Sequence, residues 1–62
     1  MTLRDELRSL LARHARTEGT TAEAALRDAT TDLIHLADEH EIDFSDVYDG
    51  ACEAFLEEIG AA

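Results

Sequence analysis

The chain has 62 residues, no lysine, no proline and one cysteine, and its 15 acids against five arginines leave a formal charge of −10. That length gives room for a single domain, 1–62, whose core hides only about 60% of the unfolded chain's surface; one cysteine excludes an intrachain disulfide, and no apolar run approaches the roughly 20 residues of a membrane span. The acidity disfavours direct contact with nucleic acid or an anionic membrane, because every phosphate would be repelled, so a charged partner is expected to be basic.

Leu3, Leu7, Leu10, Leu11 and His14 recur at i, i+4, i+7, i+8 and i+11, which places them on one face of a helix. Thr2 is its expected N-cap. Gly19, after Arg16-Thr17-Glu18, can take the left-handed conformation that ends a helix, so helix 1 is predicted over about residues 3–17. Thr20 and Glu23 have the spacing of a capping box opening helix 2, predicted over about 21–40. Its stripe runs Ala22, Ala25, Leu26, Ala29, Leu33, Leu36, Ala37 and His40, with small residues early and leucines late. Asp43 is the expected cap of helix 3, over about 44–59, with Asp46 at the third helical position and Ile42 against Val47 as a hydrophobic staple. Phe44, Val47, Tyr48, Ala51, Phe55 and Ile59 then share one side, and Gly60 supplies the stop.

The fold class is therefore all-α: three short helices with brief connections, in a helical bundle. Ile34 and Leu56 project about 110° from their main apolar stripes, near the edge of what one small core can cover. This second edge predicts a homodimer with Ile34, Cys52 and Leu56 at the interface, which would complete the bundle. The alternative is that these are scattered exposed apolar residues of the ordinary kind.

Little here points to catalysis. Asp28, Asp32, His35 and Glu39 line one helical face, and Asp32-x-x-His35 has the spacing of di-iron carboxylate bundles. Those sites point inward, whereas this row is expected opposite the Leu26/Leu33/Leu36 stripe, so it reads as a solvated face, with no metal and no cofactor. His14 and His40 fall on apolar faces and read as packed rings, His40 also suiting the C-terminal dipole of helix 2. Cys52, flanked by Ala51 and Glu53, has no basic neighbour to activate it. There is no phosphate loop, paired-cysteine motif or nucleophile elbow. A non-enzymatic protein of the cytoplasm is expected, since no basic and apolar leader occupies the first residues.

The charge is divided along the chain: residues 1–18 carry four arginines and three acids, and residues 19–62 carry twelve acids and only Arg27. On helix 3, Asp46, Asp49, Glu53 and Glu57 recur at i, i+3, i+7 and i+11, opposite the aromatic side. Helix 2 adds Asp28, Asp32 and Glu39. These seven carboxylates form rows whose intervals are comparable to phosphate spacing, as a nucleic-acid mimic entering a basic groove requires. A surface serving only solubility or salt adaptation has the same composition.

The segment Thr31-Asp-Leu-Ile-His-Leu-Ala-Asp-Glu-His-Glu-Ile-Asp-Phe, with Ala51, Phe55 and Glu57-Glu58, resembles small acidic helical accessory proteins of bacteriophages and mobile elements over about half the chain. That resemblance implies an inhibitor or regulator acting on a host protein such as a defence effector, and no residue-level role. The same segment is faintly similar to MazG-like nucleotide pyrophosphohydrolases, all-α enzymes with magnesium held by Glu-x-x-Glu and Glu-x-x-Asp motifs. The first motif is absent here, and Ala29 stands where the second needs an acid before Asp32.

Overall fold

In the computed structural model, which describes residues 1–61, three helices follow one another: α1 Leu3–Glu18, α2 Ala22–Glu39 and α3 Phe44–Glu58. No strand occurs among the described residues. Each helix opens on a side chain that satisfies an orphan backbone N–H. Thr2 Oγ1 accepts from the Asp5 N–H at 3.2 Å while Asp5 Oδ2 accepts from the Thr2 N–H at 3.1 Å, a reciprocal box at the first turn of α1. Asp43 Oδ1 accepts from the Ser45 N–H at 2.9 Å and from the Ser45 hydroxyl at 2.7 Å, opening α3.

At α2 the cap is Thr21, not Thr20. Its hydroxyl accepts from the Ala24 N–H at 3.1 Å. The shift of one residue has a cause in the preceding turn: Gly19 takes φ +64°, and the Thr20 N–H donates back to the Ala15 carbonyl at 2.9 Å. Thr20 is thus still part of the α1 terminus. Glu23, now the second helical residue, cannot complete the box that its spacing from Thr20 predicted.

All three helices end alike. The N–H groups of Thr20, Ile42 and Ala61 reach back to the carbonyls of Ala15, Ala37 and Leu56, and those of Gly19, Glu41 and Gly60 to Arg16, Asp38 and Glu57. This is the Schellman pattern, which requires a left-handed residue. Gly19 and Gly60 supply it at φ +64° and +74°; at the α2–α3 corner the residue is Glu41, at φ +58°.

The side chains that these helices align are mostly uncovered. Ala25, at 0% exposure, is the one buried apolar residue among those described, and no large side chain is fully buried. α1 and α2 pack as a hairpin, whereas α3 packs sparsely on α2 and has no backbone approach within 8 Å of α1. Arg4 and Glu58, 3.2 Å apart and exposed, are the polar link between the first and last helices. The radius of gyration is 13.3 Å, against roughly 10.6 Å for a compact domain of this length. The accessible surface is 5334 Å², against about 3,950 Å² for a folded monomer of this mass. The chain alone therefore does not enclose a core.

Candidate interaction surfaces

Two kinds of surface stand out, one apolar and one acidic. Between α1 and α2 lies a groove of about 370 Å³, with Leu7, Leu10, Leu11 and His14 on one wall and Ala25, Asp28, Ala29, Asp32, Leu33 and Leu36 on the other. A second opening on the far side of the same hairpin is lined by Arg8, Leu11, Ala12, Ala15, Ala22 and Leu26. No residue of α3 lines either. The helical seam runs through alanines, because small side chains let two backbones approach most closely. Ala25 is buried while its neighbour Leu26 is 54% exposed.

The expected placement of the α2 acids is corrected here, because at 100° per residue Asp32 projects only about 40° from Leu36 rather than across the helix from it. Asp28 and Asp32 do not lie opposite the leucine stripe; they rim the groove beside Leu33 and Leu36. Asp28 Oδ2 is 3.2 Å from His14 Nε2, an interhelical contact that joins the two walls. Periodicity assigned these two residues to separate roles, and only the packing of the hairpin brings them together. Glu39 is exposed near the end of α2, and His40, the terminal cap of α2, is exposed as well.

Asp46, Asp49, Glu53 and Glu57 are all exposed along α3. Among the described residues none of the four has an ion-pair partner; the pairs present are Arg4–Glu58, Arg8–Asp5, His14–Asp28 and Arg27–Glu23, all at the surface. Arg13 and Arg16 are in none of these pairs. Two carboxyls are held below the ordinary carboxylate range: Asp5, chiefly by the Thr2 N–H and hydroxyl and then by Arg8, and Asp43 by the Ser45 hydroxyl and N–H. Both are helix caps rather than members of the rows.

On its other side α3 is apolar and open. Tyr48, Phe55 and Ile59 are each 58% exposed, while Phe44 is half-buried, its ring 6.4 Å from that of Tyr48. The Cys52 side chain, one turn beyond Tyr48, pushes the phenol pKa up, with smaller help from partial desolvation and Asp49. Cys52 is half-buried, and Ile34 and Leu56 are 47% and 43% exposed. Ile34 and Leu56 are no more open than most of the large stripe residues expected in a core, among which Leu7, Leu11 and Phe44 are better covered. Among the described residues no group of three or more His, Cys, Asp or Glu side chains converges in a geometry able to hold a metal ion. Among the described residues no helix is long and apolar enough to cross a membrane.

Compared with protein-family models, curated proteins and solved structures, the chain matches none.

Proposed function

We propose that this is a non-enzymatic interaction protein of the cytoplasm, homodimeric, that presents carboxylate rows to a basic protein surface of the kind that binds nucleic acid. A phage-type inhibitor of a host effector is its most concrete form. The observation that carries the reading is the row Asp46/Asp49/Glu53/Glu57, exposed along one face of α3 and without a basic partner among the described residues. At 1.5 Å per residue the row is about 16 Å long. Such a surface concentrates negative potential and steers a basic partner at long range.

The test is capture from host lysate on the immobilised chain, with the Asp49→Lys/Glu53→Lys variant as control, followed by competition with duplex DNA. A nucleic-acid-binding protein retained by the wild type, absent from the control and released by DNA is the expected result. Equal capture on both surfaces counts against mimicry. The second reading, acidity for solubility or salt adaptation, draws on acids being spread over every helix rather than confined to one patch. A MazG-like hydrolase ranks third, for want of the paired acidic motifs.

A further inference from the structure

The molecule carries two apolar surfaces that do not cover one another within the chain. One is the α1/α2 groove, to which α3 contributes no residue. The other is the α3 stripe of Val47, Tyr48, Phe55 and Ile59, each about half exposed. We infer that a second copy of this chain closes both at once, the α3 stripe of each copy lying in the α1/α2 groove of the other about a two-fold axis. This rests on the homodimer of the preceding reading and goes beyond it in naming which surfaces meet.

Area identifies the occupant. The chain exposes about 1,400 Å² more than a folded monomer of its mass. Two copies hiding that surplus would bury about 2,800 Å², within the range of obligate homodimers and well above that of transient contacts. Size agrees in sense: a radius of gyration of 13.3 Å against roughly 10.6 Å for a compact chain of this length leaves the single copy open for cover. Isologous pairing also gives every uncovered stripe a recipient and leaves no open end.

Length and charge select the mode. The α3 stripe from Val47 to Ile59 rises about 18 Å, and the α2 wall from Ala25 to Leu36 about 16 Å. Joining groove to groove instead would set Asp28 and Asp32 of both copies against each other across the axis, with His14 the sole basic side chain on the groove walls. The α3 helix has its row of acids on the side away from its apolar stripe, so it can enter a groove with those carboxylates left in water.

Sedimentation equilibrium of the full chain, with helicity followed by circular dichroism, tests this. The wild type is expected at twice its 6.8 kDa into the low micromolar range. A helical 6.8 kDa species at high micromolar concentration overturns the dimer and this inference together. Phe55→Glu on the stripe and Leu10→Glu in the groove are each expected to halve the mass, with or without loss of helix. An equimolar mixture of the two is expected to recover mass and helicity, because a mixed pair contains one contact that is native on both sides. A Phe55→Glu protein that keeps the dimer mass, or a mixture that recovers nothing, overturns the α3-in-groove mode while leaving the dimer reading intact.

Discussion

Glu53 offers the sharpest perturbation of the acidic row. Asp49 precedes it by four residues and Glu57 follows by four, so its carboxylate has a like charge one turn away on either side, and all three are exposed. Each such pair on a helix surface costs about 0.2–0.5 kcal/mol at low salt. Glu53→Gln removes two repulsions and should stabilise the fold by about 0.4–1 kcal/mol. Glu53→Lys converts both into attractions and should gain about twice that. The gain is electrostatic and exposed, so it should fade when the Debye length falls from about 10 Å at 0.1 M salt to about 3 Å at 1 M. Urea denaturation followed by circular dichroism, at fixed protein concentration in both salts, reads the order Lys > Gln > Glu and its collapse. A flat series at low salt, or one that survives 1 M salt, refutes the picture of a solvated, self-repelling row. If in addition the wild type gains several kcal/mol between the two salts, salt adaptation becomes the better account of the acidity.

The helix termini supply four further predictions, each read from the same urea transitions. Glu41 occupies a left-handed position that costs a non-glycine residue about 1–2 kcal/mol, so Glu41→Gly is expected to stabilise by about 0.5–1 kcal/mol once glycine's extra chain entropy is deducted. Gly19→Ala should do the reverse by a similar amount, through backbone strain alone, because a Cβ there meets nothing within 4 Å. Thr21→Ala removes the cap of α2 and should cost about 0.5–2 kcal/mol, whereas Thr20→Ala should cost little, a contrast that checks the cap assignment. Acid should act through the first turns of α1 and α3. The Asp5 and Asp43 carboxyls are lowered in the fold, so their stabilisation is complete above the unfolded value of about 3.9 and is lost as pH falls through their lower folded values. Below about pH 4 these contacts are lost, and Asp5→Asn should flatten that acid limb.

Helix positions were legible in the sequence because caps, left-handed stops and apolar period coincide. The three helices lie within about two residues of their expected ends. The misassigned cap shows the limit of that reading: Thr20 and Thr21 are chemically alike, and which one caps depends on how many residues the turn after Gly19 consumes. The groove was hidden for a different reason. Hydropathy points a stripe toward its leucines, but close approach selects the smallest side chains, so Ala25 and Ala29 took the seam and carried Asp28 and Asp32 to its rim beside His14. Phe55 and Ile59 were readable as an apolar stripe. Periodicity says that such a stripe needs cover, yet it has no means of saying whether the cover comes from the same molecule.

Cover from a second copy would tie folding, pairing and partner binding into one equilibrium. A pair doubles a charge of −10 per chain within one particle, and self-repulsion opposes its compactness. The α1/α2 groove and the α3 stripe must overcome that repulsion to associate. A polycation neutralises part of it, and if it binds the paired, folded state alone it stabilises that state in proportion to its free concentration over its Kd. Adding polylysine at low salt should therefore shift the dimer toward lower protein concentration and raise the thermal midpoint, most strongly for the wild type and less for Glu53→Lys. If polylysine instead splits the dimer while helicity is kept, the acidic rows face the interface rather than the solvent, and the α3-in-groove arrangement is wrong about which side of the helix is turned inward.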